Sequence, residues 1–387
     1  MKSFCFLIRA LIYNMKCLFV TGTRADFGKM KNLISTMIND SSRYSVKIVA
    51  TGMHLLKEFG NTFVEIEDVF PGRVVSIEGQ KYQENMSVGF SRFIGGFNSY
   101  LEVEKPDVVV VHGDRFDALA AAIVASNLDV HVAHIEGGEV SGTIDEAIRH
   151  SVSKFAHIHF VSNGQSGARV HQLGEDPALT FITGSPETDV LLGSELPSLE
   201  LVKTRYGINF DEYSICCFHP VVNEQDDLTR QINELVEFTE FSGDNFIWIY
   251  PNNDLGGSVI IDRLKQVRSD NIKAFESLRF ESYITLLKNS RCIIGNSSSG
   301  VREAHVLNVP SVNIGSRQSG RVLHPLVFEC EFDKQSIAHT YKKAISHVNS
   351  LAPTYEFGSG SVVKTIKAVF DSLNLEDIPI QKTFHGS

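Results

Sequence analysis

No apolar run in the 387 residues approaches the roughly 18 that a membrane-crossing helix needs, which excludes a helical membrane protein. The six cysteines, Cys5, Cys17, Cys216, Cys217, Cys292 and Cys330, form no CxxC pair and no secreted-type disulfide spacing. A reduced, cytoplasmic protein is expected. Positive charge is in deficit, with 36 Lys and Arg against 46 Asp and Glu and a formal net charge of −10. Nothing therefore drives non-specific binding to nucleic acid or to an anionic membrane. GxGxxG, Walker A and HExxH motifs are absent, as are internal repeats and low-complexity tracts. The signatures of dinucleotide, P-loop and zincin chemistry are thus missing.

What is present suffices for large cores. Hydrophobic residues make up 43% of the chain, and at about 150 residues per domain the length corresponds to two or three units. Residues 1–14, MKSFCFLIRALIYN, are interrupted by Arg9 and lack a small-residue cleavage site before Met15. They read as an upstream extension or a loose arm rather than a secretory signal. From Met15 onward, strand-like runs alternate with helical patterns, the mark of an α/β protein with parallel sheets. The runs lie at 17–20, 46–50, 74–77 (an edge strand), 107–114, 130–136, 157–162 and 180–184. The unbroken valines Val108 to Val111 predict a strand covered on both faces.

Polar, turn-rich text over residues 185–205 reads as a hinge, after which a second series runs at 213–220, 246–252, 272–275, 291–297 and 310–315. The predicted division is an N-terminal Rossmann-like domain over 15–190 and a C-terminal one over 191–387. The two face each other across a cleft at their strands' carboxyl ends. The helical text from Lys364 to Leu373 is expected to pack across the hinge.

Three strands of the first series end in clusters of polar residues with glycine: Thr21 to Asp26, His112 to Arg115, and His134 to Glu139. Strand ends are where doubly wound sheets bind ligands. Arg24 and Lys29 are placed to hold an anion at a helix start, although Lys29 also fits a solvated helix position. Asp114, Glu136 and Asp145 are the acid/base candidates, because carboxyls crowded in a dry pocket differ in proton affinity. Asp145 with Glu146 equally fits first-turn charges that complement a helix dipole. Arg149, four residues after Asp145, pairs with it or meets a phosphate. His157 and His159 fall on opposite faces of one strand, against joint metal ligation. With His150 and His171 they read as structural or exposed. His219 ends the strand beginning the second series and is expected to touch a ligand. In IIGNSSSGVREA (293–304) a strand runs into small residues and a helix start. Ser297, Ser298 and the N–H groups near Gly300 suit a diphosphate, and Glu303 suits ribose hydroxyls. A serine-capped helix would look similar.

The segments GTRADFGK, TGMH, VHGDRFDALA, HIEGGEVSGTIDEAIRHSVSK, FHP, YPNND, GNSSSGVREA and NIGSRQSGR, in this order from about Met15 to Arg321, resemble the UDP-N-acetylglucosamine 2-epimerase family. They are most similar to its hydrolysing branch in bacterial sialic-acid pathways. The resemblance implies a GT-B fold, a reaction without metal or NAD, and a dimer or tetramer. It implies anti-elimination of UDP across C-1 and C-2 of the sugar, a 2-acetamidoglucal intermediate, and water addition to give free N-acetylmannosamine and UDP. Asp114, Glu136 and Asp145 match the catalytic carboxylates. Arg24, Arg115, Arg149 and His219 match contacts to the diphosphate or leaving group, with the cations stabilising departing UDP. Ser297, Ser298 and Glu303 match phosphate and ribose contacts, and Lys29, Asn253, Gly300 and Arg321 complete the UDP-binding set. Competing readings are the non-hydrolysing epimerases, hydrolysis of a UDP-2,4-diacetamido-trideoxyhexose or GDP-linked sugar, a GT-B glycosyltransferase, and a non-catalytic nucleotide-sugar binder.

Overall fold

The computed structural model describes residues 14–321, 323–347 and 356–386; the extension expected before Met15 lies outside the described residues. Seven parallel strands form the first sheet: β1 (Met15–Thr21), β2 (Tyr44–Ala50), β3 (Val74–Ser76), β4 (Val108–His112), β5 (His131–Ile135), β6 (Ile158–Val161) and β7 (Thr180–Ile182). Their order is β3-β2-β1-β4-β5-β6-β7, so β3 is at the edge as expected and the order of strand addition reverses between β1 and β4. Alternation assigns the two faces. Phe19 and Val110 pack with Ile34 of helix Arg24–Asn39 on one side. Leu18 and Val109 pack on the other side with Phe97 of helix Met86–Glu104 and Ala121 of helix Phe116–Asn127. Both faces are covered, which is why all of β4 is buried.

The second sheet has six parallel strands: β8 (Ser214–Cys217), β9 (Phe246–Ile249), β10 (Ile272–Phe275), β11 (Ile293–Gly295), β12 (Ser311–Ile314) and β13 (Val327–Cys330), in the order β10-β9-β8-β11-β12-β13. The edge strand β13 was not anticipated, because Glu329 and a half-buried VFEC pattern carry little apolar signal. The text taken for a hinge holds two helices, Glu187–Leu191 and Leu199–Tyr206.

The division at 190/191 needs correction at the C-terminal end. Val362, Ile366 and Phe370 of helix Val362–Ser372, with Leu375 and Ile378 beyond it, belong to the core of the first sheet. The chain therefore crosses between the units twice. The crossings are tied together: Ser185 N–H donates to Phe357 O at 2.6 Å. The Asp189 carboxylate also accepts the Val362 and Val363 N–H groups, each at 2.8 Å, and so caps the returning helix from a distant segment. Among the described residues no helix is long and apolar enough to cross a membrane.

Candidate active site

Both sheets present residues after their strands to one cleft, whose empty space is about 1020 Å³ counted out to open solvent. Asp26, His112, Asp114, Glu136 and Asp145 line it from the first sheet's side, and Asp254, Ser298, Arg302, Arg317 and Arg321 from the second.

Asp114 follows β4 through Gly113, whose φ of +71° is left-handed. Its carboxylate is gripped by the Arg149 guanidinium. Arg149 lies on helix Ile144–Phe155 and also donates to Glu139 O at 2.9 Å. Burial pushes Asp114 up, but Arg149, with Arg321 and His112, outweighs it and holds the carboxyl below its ordinary value. Arg149 thus pairs with Asp114 rather than with Asp145 on its own helix face. Asp145 opens that helix, where the Thr143 hydroxyl donates to its Oδ2 at 2.8 Å. Arg317 reaches across from the second sheet to 3.7 Å. Burial and then the Asp114 charge raise the proton affinity of Asp145, more than Arg317 lowers it.

One buried histidine ties these parts together. His134 donates through Nε2 to Gly113 O at 2.8 Å, leaving Nδ1 to accept the Ser153 hydroxyl at 3.0 Å. The residue before Asp114 is thereby joined to the last turn of the helix that carries Arg149.

Glu136 sits deeper, in left-handed backbone at φ +67° after β5. It accepts from the Ser185 hydroxyl, lies 3.1 Å from Arg302 and 4.0 Å from Lys29, and faces His112 Nε2 at 3.3 Å. Burial pushes Glu136 up, yet Arg302, Lys29 and His112 hold it well below the usual carboxylate range. His112 is the converse case. Burial favours its neutral ring, but Glu136 on one side and Asp26 on the other, at 3.0 Å, push its pKa up to about 10.

The sequence of the UDP-N-acetylglucosamine 2-epimerase family matches residues 36–371. The chain belongs to that family. It is 40% identical over 331 residues to the UDP-N-acetylglucosamine 2-epimerase of Neisseria meningitidis, covering 86% of this chain and 88% of that one. Identity is 34% over 337 residues to the UDP-N,N'-diacetylbacillosamine 2-epimerase (hydrolyzing) of Legionella pneumophila, covering 86% and 89%. Among solved structures, the Methanocaldococcus jannaschii UDP-GlcNAc 2-epimerase in complex with UDP-GlcNAc and UDP superposes with a TM-score of 0.75 at 21% identity, covering 92% of this chain and 99% of that one. The paired Rossmann-like domains are the GT-B fold of these epimerases.

Of the epimerase residues expected from the sequence, Lys29, Asp114, Arg115, Glu136, Asp145, Arg149, Ser298 and Arg321 line the cleft. Ser298 opens helix Ser299–Val306 without a side-chain cap bond, so its hydroxyl is not used up by the helix. Burial, with Arg302 and Arg149 nearby, lowers Arg321 to about 10 against the pull of Glu139.

The others are engaged elsewhere. Arg24 pairs with Glu65 at 2.9 Å, and Asn253 donates to Lys81 O at 3.0 Å, joining the two domains beside the cleft. Ser297 accepts the Ser299 N–H at 3.3 Å. Gly300 is needed for packing, since a Cβ there would lie 2.5 Å from Ser311 Oγ. Glu303 joins a buried cluster with Lys29, 3.6 Å away, and with Glu187. His219 accepts the Asn252 N–H through Nδ1 at 3.3 Å. Burial, Arg317 and Arg115 push the His219 pKa well below its ordinary value, which favours the neutral ring as a hydrogen-bonding group.

Sequence reasoning missed Arg302, which comes from the second domain to meet Glu139, Glu136 and Glu187 of the first. It lies in a helix whose every residue is buried, where a charge must find partners.

Proposed function

We propose that the protein is a hydrolysing 2-epimerase that converts UDP-N-acetylglucosamine and water to N-acetylmannosamine and UDP, supplying sialic acid synthesis. The observation that carries this reading is the meeting, in one cleft, of two carboxyls of opposite proton affinity with arginines from both domains. Asp114 is held ionised by Arg149, and Asp145 beside it has raised proton affinity.

The reaction inverts C-2, so a proton leaves one face of the sugar and another arrives on the opposite face. Asp145, whose proton affinity is raised, is suited to exchange a proton, and Asp114 is the ionised partner. Glu136, fixed among Arg302, Lys29 and His112, orients and balances charge. A C-2 hydrogen beside an N-acetyl group is weakly acidic, so cleavage of the C-1–oxygen bond must run ahead. Arg115, Arg317 and Arg321 take up the charge that develops on UDP, with Ser298 at the helix start as a phosphate donor. The elimination breaks C-1–O and C-2–H and forms the C-1=C-2 double bond. Water then adds across that bond: its oxygen joins C-1, a carboxyl on the opposite face gives its proton to C-2, and the proton released by the water restores that carboxyl, while the proton first taken from C-2 exchanges with solvent.

The test is NMR of the protein with UDP-N-acetylglucosamine in deuterated water. Free N-acetylmannosamine deuterated at C-2, with one UDP per sugar, supports the proposal. UDP-N-acetylmannosamine without free sugar would assign it to the non-hydrolysing type. The similarity to the Legionella enzyme favours one second reading, UDP-N,N'-diacetylbacillosamine as substrate; the ratio of kcat/KM for the two sugars decides.

A further inference from the structure

The far end of helix Ile144–Phe155 is closed by the C-terminal tail. A helix leaves its last carbonyls without intrahelical donors, and here each is satisfied. Val152 O and Ser153 O accept the Ala156 N–H at 2.9 and 3.2 Å. Phe155 O accepts the Ser126 hydroxyl at 3.0 Å. The remainder falls to one side chain, the Lys382 ammonium, which donates to Ser153 O at 3.3 Å, Lys154 O at 2.8 Å and Ala156 O.

That ammonium is anchored in turn. It meets Glu175 at 2.5 Å, a buried carboxylate also held by Lys154 at 2.6 Å and by His159 at 3.1 Å. The tail leading to it is pinned by two histidine rings, His131 to Ile378 O and His157 to Ile380 O, each at 3.0 Å. Beyond it, His385 N–H donates to Gly174 O at 3.0 Å. A surface lysine would make none of these contacts, and a cation at a helix C-terminus is also favoured by the dipole.

The same last turn holds Ser153, which is bonded through His134 to Gly113, the residue before Asp114. Arg149, which grips Asp114, lies in the same helix one turn earlier. Fixing this end therefore fixes both members of the Arg149–Asp114 pair. We infer that Lys382 is a positioning residue: the C-terminal tail straps the helix so that Arg149 and Asp114 meet in register inside the cleft. The inference rests on the proposed catalytic use of that cleft.

The test compares the full chain with Lys382→Met, which keeps the stem and removes the charge, and with Lys382→Arg. For UDP-N-acetylglucosamine turnover, Lys382→Met should lower kcat by about tenfold to a hundredfold, the scale of a small misplacement. KM should stay within about twofold, since the second domain's contacts are untouched. Lys382→Arg should recover most of kcat, because a guanidinium can still cap carbonyls. Amide hydrogen exchange at 149–156 should rise about tenfold in Lys382→Met while exchange in the second domain is unchanged. An unchanged kcat with faster exchange would mean that the strap stabilises without positioning, and would overturn the inference. So would unchanged exchange, or an equal loss in both variants. If the wild-type protein leaves UDP-N-acetylglucosamine intact, the functional reading fails, and exchange over 149–156 alone decides whether Lys382 holds the helix.

Discussion

Asp145 is the carboxyl on which the acid/base proposal turns. Asp145→Asn should lower turnover by about 10²- to 10⁴-fold while UDP affinity stays within about threefold. The neighbours set the pH at which Asp145 works. If it must be ionised to accept the C-2 proton, kcat falls as pH drops through its raised pKa. Arg317 favours the ionised form, so Arg317→Ala should move that acidic limb to higher pH. Asp114 disfavours it, so Asp114→Asn should move the limb to lower pH in whatever activity remains. Opposite displacements in the pH–kcat profile are the expected result; equal ones would remove Asp145 from the assignment. Arg302 poses a problem of stability instead. Arg302→Met removes the cation that Glu136, Glu139 and Glu187 share and leaves Lys29 to face Glu136 and Glu187, which costs about 3–5 kcal/mol for a broken buried pair, readable as a lower denaturant midpoint. Asp114, Glu136 and Asp145 were legible in the sequence because each follows a strand or opens a helix that its own neighbours announce. Arg302 was not, because its partners Glu139 and Glu187 lie 163 and 115 residues away. No local pattern encodes that pairing.

Between elements, helix Arg24–Asn39 packs tightly against helix Phe280–Lys288 across the two domains. A Cβ on Gly28 would lie 2.3 Å from Phe280 Cβ, and Lys31 meets Glu281 at 2.5 Å one turn along. Gly28→Ala should force the domains apart at this point. Small-angle scattering should show a larger radius of gyration, and adding Phe280→Gly, which removes the opposing Cβ, should restore the compact envelope. This contact also explains part of GTRADFGK: its second glycine, Gly28, serves the approach of a helix from the other domain. Most elements could be read directly, since a strand buried on both faces has to be written in β-branched and apolar residues. The failures have separate physical causes. The half-buried strand β13 and helix Leu199–Tyr206, with Val202 alone buried, bury too little for periodicity to stand out, and helix Glu187–Leu191 is too short for a period to show. The destination of helix Val362–Ser372 depends on a core assembled from the opposite end of the chain.

For the molecule as a whole, the buried charges make stability depend on pH in a direction that can be stated. His112 has its pKa raised from an ordinary 6.5 to about 10 in the folded protein. Its contribution is therefore complete below 6.5 and is lost as pH rises through 10. Thermal unfolding midpoints should fall across that interval, and His112→Gln should flatten the decline. The double crossing between the domains has a consequence of another kind, in the order of biosynthesis. The first sheet is finished at Ile182, yet its core includes Ile366, Phe370 and Ile378. A nascent chain that has just produced β7 still exposes the apolar surface meant for those side chains. At about 5–20 residues per second, that surface waits for tens of seconds or less while the second domain is made. The domain encoded first therefore becomes complete last.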